Sequence, residues 1–136
     1  MFGPRITRVR PDGSKETIAD IVGGPNGAAI GPDGALYLCN NGGCFTPVDL
    51  GDLLLPGPFD PAVYIGGRIQ RVDLATGEVA DLYTECDGRP LRAPNDLVFD
   101  AHGGFWFTDH GIRDHVARTS DLTGIYYATA DGSHIS

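Results

Sequence analysis

The sequence is poor in lysine and in segments that could form a helix. Only one of its ten basic side chains is a lysine, Lys15, and the 136 residues carry a net charge of −8. A nucleic-acid binder needs basic side chains that neutralise phosphates along a track, so this charge excludes a general nucleic-acid partner. No segment of about 11 residues keeps the apolar spacing of an amphipathic helix free of glycine and proline.

Long apolar runs are missing as well, and cysteine is scarce. No stretch approaches the roughly 18 uninterrupted apolar residues of a membrane-spanning helix. The opening residues, MFGPRITRVR, lack the apolar centre of a signal peptide. We therefore predict a cytoplasmic protein with no membrane partner. Cys39, Cys44 and Cys86 are odd in number and fit no familiar zinc spacing, so we expect free thiols in a reducing compartment.

Short strand-like segments separated by turn sequences fill the chain instead. Examples are ALYLC at 35–39, RIQRV at 68–72 and GFWF at 104–107. Turn sequences such as PDG at 32–34 and ADG at 130–132 separate such segments. The pattern predicts an all-β chain built from antiparallel hairpins.

The hairpins recur in a fixed order. GGPNGAAIGPDGALYLCNNGG at 23–43 returns as APNDLVFDAHGGFWFTDHG at 93–111, with Asn26 and Asn95 offset by 69 residues. A second type of hairpin occurs at 6–14, 69–78 and 125–133. One hairpin of each type makes a four-stranded unit of roughly 40–45 residues, the size of a propeller blade. A two-sheet sandwich is the alternative, but it gives no reason for so regular a repeat.

This reading divides the chain into about two and a half β-propeller blades of four antiparallel strands. Residues 1–22 form the outer hairpin of one blade, and residues 23–84 form a full blade with an inserted loop at 42–67. Residues 93–136 form most of a further blade. The long connections at 42–67 and 110–124 fall on the face where each Pro-Asn pair begins its strand. Long loops on one face are typical of a binding site, so we expect the functional face there.

Two asparagines at the starts of inner strands are candidates for a site on the propeller axis. Asn26 and Asn95 would project toward the same central space, where amide oxygens suit a hard divalent cation. Asp96, beside Asn95, would hold a second ion or orient the first ligands. The alternative is that each asparagine begins a strand after proline and satisfies local backbone groups.

Polar residues at the strand ends are the second group of candidates. Asn40, Asp109 and His110 end two strands near the same face, and an Asp-His pair could position a water as base and orienter. The alternative is that these residues form turns. Arg92 lies just ahead of Asn95 and could steer a carboxylate or hydroxylated substrate, or it could be an exposed loop arginine.

PNGAAIGPDGALYLCNNGG, together with RAPNDLVFDAHGGFWFTDHG and the later GIYYATADGS, resembles the senescence-marker-protein, gluconolactonase and luciferin-regenerating-enzyme family. The resemblance covers most of the chain. It implies a partial six-bladed propeller, hydrolysis of a small-molecule lactone and a divalent cation on the axis. Calcium is the expected cation, with zinc, magnesium and manganese as alternatives.

The resemblance also implies roles for individual residues. Asn95 and Asp96 would belong to the metal site, while Asn26, Asn40 and Arg92 would contact substrate. Asp109 and His110 are the candidates for catalysis.

The sequence departs from the family pattern in one important way. Relatives place a metal-ligating glutamate at the start of an earlier inner strand, whereas Glu16, Glu78 and Glu85 all fall in outer hairpins. The ligands that relatives supply from later blades are not in this sequence. Two functions therefore stay open: a metal-dependent lactonase, or an inactive propeller fragment that at most binds a ligand. Self-association of several copies could complete the ring.

Overall fold

The computed structural model describes residues 4–136 and consists of strands and turns, with no helix in that range. The strands are β1 (Arg5–Val9), β2 (Lys15–Asp20), β3 (Pro25–Ile30), β4 (Leu36–Asn40), β5 (Pro47–Asp49), β6 (Leu54–Pro56), β7 (Arg68–Val72), β8 (Val79–Tyr83), β9 (Glu85–Cys86), β10 (Arg89–Pro90), β11 (Pro94–Phe99), β12 (Gly104–Asp109), β13 (Arg113–Asp114), β14 (Thr119–Ser120) and β15 (Gly124–Thr129). The predicted all-β class is confirmed.

Two antiparallel sheets make the body of the fold. The first has four strands in the order β3-β4-β7-β8, and the second has three in the order β11-β12-β15. Ile135 bridges to Ala128 of β15 at the position where a fourth strand would pair. The hairpin β1-β2 stands beside the four-stranded sheet as its own small sheet. The chain thus runs from a two-stranded hairpin through a four-stranded sheet to a three-stranded sheet.

The repeat is preserved down to the irregularities of strand pairing. In the first blade Pro25 pairs with Asn40 and the register then shifts before Ala28. In the second blade Pro94 pairs with Asp109 and the register shifts before Leu97. A bulge at the same place in both copies bends the start of each inner strand, and bulges of this kind often re-aim side chains next to a site.

The two long connections contain hairpins of their own. Strands β5 and β6 pair within residues 42–67, and β13 and β14 pair within residues 110–124. Both were expected only as long loops. The short strands hold each connection in a defined shape above the blade that carries it.

The main core lies between the two blades. It consists of ten buried side chains: Ala35, Tyr37, Cys39, Ile69, Tyr83, Leu91, Leu97, Phe105, Phe107 and Ala128. Phe99 packs against this core, and its ring meets the Tyr37 ring edge to face at 5.0 Å between centroids. Each large apolar side chain buried here stabilises the fold by roughly 1.5–3 kcal/mol. The blades are therefore fixed against each other, which also fixes Asn26 relative to Asn95.

A smaller core joins the hairpin β1-β2 to the four-stranded sheet through Ala19, Ile21, Leu38 and Val72. The far side of the three-stranded sheet, by contrast, is open and apolar, with Trp106 half exposed. Within the described range no helix is long and apolar enough to cross a membrane.

Candidate functional site

A cavity of about 630 Å³ lies on the face where the inner strands begin. Its wall combines the starts of β3 and β11 with parts of the 42–67 and 110–124 connections. This is the face predicted to be functional, and we call the space the Asn cavity. Asn26, Asn95 and His110, three of the candidate site residues, line it.

Asn26 and Asn95 meet directly in the wall of the cavity. Nδ2 of Asn26 donates a hydrogen bond to Oδ1 of Asn95 over 2.9 Å. The strands can approach this closely because Gly27 has no side chain. A Cβ atom there would lie 2.6 Å from Cα of Asp96 and 2.7 Å from the carbonyl oxygen of Asn95. The glycine after Asn26 is therefore part of the site.

His110 lines the Asn cavity and its ring is held by two contacts. Its Nδ1 lies 2.7 Å from the carbonyl oxygen of Gly111, so Nδ1 carries the proton. The ring stacks on Phe45, with 5.8 Å between centroids and 23° between planes. These contacts fix the ring and leave Nε2 as an acceptor, which is the state that a general base or a water-holding residue needs.

Asn40 occupies a different place from the one expected of a substrate contact. Its side chain is buried, Oδ1 accepts hydrogen bonds from the backbone N–H groups of Gly24 and Gly42, and Nδ2 donates to Val22 and Gln70. All four bonds measure 2.8–2.9 Å. Asn40 does not line the cavity. It fastens the chain that enters β3 to the chain that leaves β4.

Asp109 holds the repeat position of Asn40 and makes the corresponding bonds in the second blade. Its buried carboxylate accepts from the backbone N–H groups of Arg92 at 2.7 Å, Ala93 at 2.8 Å and Gly111 at 2.9 Å. The structure thus places Asp109 behind the cavity wall. The predicted pairing of Asp109 with the His110 ring does not form, because His110 instead bonds to Gly111.

Arg92 also lies outside the wall. Its Nε donates to Oδ2 of Asp121 at 2.7 Å, and its guanidinium lies over the Tyr64 ring, 5.6 Å from the centroid. The Tyr64 hydroxyl in turn donates to the backbone carbonyl of Arg92 over 2.6 Å. Arg92 therefore ties both long connections to the chain before β11 instead of facing the cavity.

The hydrogen bond from Arg92 affects the pKa of Asp121. Burial alone would raise the pKa of the Asp121 carboxyl, but the hydrogen bond from Arg92 and that from the Ile112 backbone N–H outweigh it. The pKa of Asp121 consequently lies below its usual value. The carboxylate is charged near neutral pH and holds the 110–124 connection in place.

Asp96 does not line the Asn cavity, although its Oδ1 lies beside Gly27, where a Cβ atom would collide with it. It lines a separate cavity of about 210 Å³ on the open side of the three-stranded sheet, together with Val98, Trp106 and Ile125. One of its oxygens accepts a hydrogen bond from the Leu97 backbone N–H at 2.9 Å. Asp96 thus lies close to the Asn26–Asn95 contact but outside the lining of the Asn cavity.

The fit of the site to a divalent cation follows from these positions. Within residues 4–136 no group of three or more His, Cys, Asp or Glu side chains is placed to hold a metal ion, and no carboxylate lines the Asn cavity. Oδ1 of Asn95 already accepts a bond from Asn26. Ca²⁺ takes six to eight oxygen ligands, usually including carboxylates. The described residues do not form such a site by themselves.

The cysteines match the expectation of free, buried thiols, since Cys39, Cys44 and Cys86 are all unpaired and buried. Cys44 lines the Asn cavity. Burial raises the pKa of its thiol to about 11, so it is protonated near neutral pH and is a poor nucleophile. Thiol catalysis is therefore not the chemistry of this site.

Several cavity residues were not singled out from the sequence. They are Phe45, Phe59, Ile112, Arg113, His115 and Thr123, all from the two long connections. The length and placement of these connections pointed to the face that carries the cavity. Nothing in their composition marks which side chains turn inward.

Comparisons with known proteins show which family and which fold the chain is similar to. A family model described as "SMP-30/Gluconolactonase/LRE-like region" matches residues 1–136. The lactonase drp35 of Staphylococcus aureus (strain MRSA252) is 32% identical over 134 residues, covering 96% of this chain and 33% of that protein. The lactonase drp35 of Staphylococcus epidermidis (strain ATCC 12228 / FDA PCI 1200) is 28% identical over 133 residues, with the same coverage of both.

Solved structures show the same fold. A gluconolactonase of Xanthomonas campestris superposes with a TM-score of 0.68 at 26% identity, over 98% of this chain and 39% of that one. A putative gluconolactonase gives a TM-score of 0.65 at 19% identity, over 97% of this chain and 40% of that one. The chain spans about a third of the length of the curated relatives it matches. It adopts a partial propeller fold and belongs to the SMP-30/gluconolactonase/LRE-like family.

Proposed function

We propose that this chain contributes part of the pocket of a hydrolase that opens lactones. The observation that carries the proposal is the meeting of Asn26 and Asn95 in the wall of the Asn cavity, beside an imidazole in a fixed tautomer. The curated relatives of similar sequence are lactonases, which supports this reaction class.

The two amides supply donors for the substrate's oxygens. After the bond between them is made, Asn26 keeps one N–H and Asn95 keeps both. Donors fixed by the fold stabilise the negative charge that develops on a carbonyl oxygen when water attacks it. Asn95 and Asn26 are therefore assigned to bind the lactone carbonyl and neighbouring hydroxyl groups.

His110 is assigned to activate the attacking water. Nε2 takes a proton from the water as its oxygen bonds to the carbonyl carbon. The ring carbon–oxygen bond then breaks, and the imidazolium returns the proton to the leaving ring oxygen. The product is the open hydroxy acid, and no oxidant or further reactant is consumed.

Apolar side chains complete the pocket. Phe45 and Phe59 from the first long connection, with Ile112 from the second, line the same cavity. They exclude water around the reacting groups and lower the local dielectric, which strengthens each hydrogen bond to the carbonyl. Phe45 also holds the His110 ring by stacking.

A ligand-binding module without turnover is the second candidate. One observation favours it: no carboxylate lines the Asn cavity among residues 4–136, so the cavity has neither a carboxylate base nor charged ligands for a cation. Such a module would bind lactones or their hydroxy acids through the same amides and release them unchanged.

Acid release from gluconolactone and from an acyl-homoserine lactone, measured with and without EDTA, tests the proposal. We expect His110→Gln to slow turnover roughly 100-fold or more, the usual contribution of a general base. His102→Gln, in the exposed turn between β11 and β12, is the matched control and should have no effect. Loss of activity with EDTA would support the cation expected from the family resemblance.

Binding of the lactone without turnover above the buffer rate would favour the module instead. Equal loss of activity in both histidine variants would remove His110 from the mechanism.

A further inference from the structure

We infer that Asp121 is a positioning residue for His110. It acts through one peptide group, the unit formed by the Gly111 carbonyl and the Ile112 N–H. The inference rests on the proposed function, in which His110 activates water, and deepens it by naming the group that holds the base in place. Asp121 follows Ile112 by nine residues in the 110–124 connection and does not line the Asn cavity.

Asp121 and His110 bond to opposite ends of this peptide group. Oδ2 of Asp121 accepts the backbone N–H of Ile112 at 3.1 Å. The carbonyl oxygen of Gly111 accepts the Nδ1–H of His110 at 2.7 Å. Because a peptide group is planar and stiff, a bond that fixes its N–H also fixes the direction of its carbonyl. The place of Asp121 therefore decides whether the acceptor for the His110 ring points at Nδ1.

The backbone at Gly111 needs a partner to keep one direction. Gly111 has a φ of 65°, in the left-handed region that glycine adopts without steric cost. The same freedom gives glycine many other conformations, so an unsupported peptide here would not hold its carbonyl still. A Cβ atom at Gly111 would lie 2.9 Å from Cβ of Asp121, and the Asp121 N–H donates to the Ile112 carbonyl at 3.0 Å. Asp121 thus supports this segment through its backbone and its side chain.

Arg92 fixes the same carboxylate oxygen from the other side. Its Nε donates to Oδ2 of Asp121 at 2.7 Å, and its guanidinium lies over the Tyr64 ring. A series of hydrogen bonds therefore runs from Arg92 through Asp121 and the peptide group to Nδ1 of His110. Arg92 and Asp121 do not line the Asn cavity, so they affect a ligand there only through the groups that they hold.

This series selects the tautomer that the proposed reaction needs. A proton on Nδ1 leaves Nε2 of His110 as the acceptor for a proton from water. Stacking on Phe45 restrains the plane of the ring but does not choose between its two nitrogens. Without the Gly111 carbonyl in place, both neutral tautomers would form. Asp121 therefore maintains the basic nitrogen on the side of the ring opposite its peptide partner.

Nitrogen NMR of the imidazole, at a pH where His110 is neutral, measures the tautomer without requiring turnover. His110→Gln assigns the signals. We expect one tautomer in the parent chain, with the proton on Nδ1, and a mixture of both in Asp121→Ala. Asp121→Asn keeps an oxygen that can accept both N–H groups and should preserve the single tautomer.

Asp114→Ala is the matched control from the same connection. Oδ1 of Asp114 accepts the backbone N–H groups of Val116 and Ala117, each at 2.9 Å. Its loss removes a carboxylate and two hydrogen bonds but leaves the bonds of Asp121 in place. We expect the tautomer of His110 in this variant to match that of the parent.

Acid release from gluconolactone supplies the second measurement. We expect Asp121→Ala to lower kcat roughly tenfold or more with little change in KM, because a misplaced base stabilises the transition state less and leaves substrate binding intact. Asp121→Asn should recover most of the kcat, and Asp114→Ala should match the parent. An Asp121→Asn chain as slow as Asp121→Ala would overturn the inference, since the charge of Asp121 would then matter and not its hold on the peptide.

Circular dichroism and melting temperatures show which variants are folded. Arg92→Met repeats the test if Asp121→Ala is unfolded, because it removes the donor to Asp121 and keeps a long apolar side chain beside Tyr64. It should also give a mixture of tautomers.

A single tautomer of His110 in every folded variant would overturn the inference. A chain that hydrolyses lactones with that result would retain the proposed function and lose this role of Asp121. A chain that hydrolyses nothing but changes tautomer in Asp121→Ala would retain the positioning of His110 and lose the proposed function.

Discussion

The amide of Asn26 donates to the amide oxygen of Asn95 over 2.9 Å, so one position of the repeat contacts itself across two blades. The contact requires the strands to approach at Gly27, where any side chain would collide with Asp96 and Asn95. It orients both amides in the wall of the cavity. The duplicated sequence thus brings two copies of one asparagine into contact.

Substitutions of Asn26 and Asn95 should show that the two side chains contribute to lactone binding as a coupled pair. We expect Asn26→Ala and Asn95→Ala each to weaken binding of a lactone roughly tenfold, because each removes a donor and frees its partner to rotate. The double variant should lose less than the sum, with a coupling of about 0.5–1.5 kcal/mol. Calorimetric affinities of the four proteins measure it, and strict additivity would show that the contact does not organise the site.

Asp33→Ala serves as the distant comparison, in the turn at the opposite end of β3. Because this turn lies on the face opposite the cavity, Asp33→Ala is expected to leave metal affinity and turnover unchanged. The structure gives Asp33 a salt bridge to Arg71 at 2.8 Å and a hydrogen bond from the Tyr37 hydroxyl at 3.2 Å. We therefore expect a lower melting temperature with unchanged lactone affinity. A change in affinity would mean that the structure of the whole blade affects lactone binding in the cavity.

Exchanging the two buried strand-end residues tests their equivalence. Asp109→Asn should lower the free energy of unfolding by about 1.5–3 kcal/mol, because an amide cannot accept all three backbone N–H groups. Asn40→Asp should cost about 3 kcal/mol or more, since a buried carboxylate would face the Val22 carbonyl, which now accepts a hydrogen bond. Urea unfolding measures both.

The same exchange distinguishes a structural role from a catalytic one. If Asp109 only positions the backbone on either side of the cavity, Asp109→Asn should raise KM for the lactone more than it lowers kcat. A large fall in kcat with unchanged KM would support the catalytic role that the sequence predicts for Asp109.

The sequence was enough to predict the blades and the convergence of Asn26 and Asn95. Both follow from periodicity: residues at one repeat position begin equivalent strands, and inner strands of adjacent blades lie side by side. The face that carries the Asn cavity could also be predicted, because alternate turns of a meander fall on opposite ends of the sheet. The open side of the chain, with Trp106 exposed, likewise follows from the number of blades.

The roles of the strand-end residues could not be predicted in the same way. Asn40 and Asp109 end equivalent strands, and both side chains turn back to accept backbone N–H groups, a direction that strand periodicity does not fix. The position of the Arg92 side chain depends on its bond to Asp121, which lies in a connection whose conformation no periodicity fixes. The place of Arg113 in the cavity wall could not be predicted for the same reason.

Asp121 should give the fold an acid-sensitive contribution to stability. Its pKa is lowered in the folded chain, so this contribution is complete above the unfolded value of about 3.9 and is lost as pH falls through the lower folded value. We expect Asp121→Asn to lower the melting temperature at pH 6 and to differ less from the parent near pH 2.5. Asp52→Asn, in an exposed turn, is the control with the same change of charge. A pH-independent difference would exclude the Arg92–Asp121 pair as its source.

The open face of the three-stranded sheet should mediate association between copies of the chain. Trp106 is 50% exposed, whereas Tyr37, at the same repeat position, is 1% exposed because the next blade covers it. Val98 and Ile125 extend this apolar face with exposures of 63% and 71%. An uncovered face of this kind favours contact with another blade. We expect light scattering to show association that grows with concentration, and with salt, because each copy carries a charge of −8 that salt screens.

Trp106→Thr should weaken that association, since it removes the largest apolar side chain of the face while keeping a residue that suits a strand. Leu122→Thr is the matched control, because Leu122 is 93% exposed but lies in the 110–124 connection and not on the sheet. Covering Trp106 should also shift its fluorescence to shorter wavelength as the parent chain associates. A parent chain that stays monomeric at every concentration, with unshifted emission, would show that this face does not pair copies of the chain.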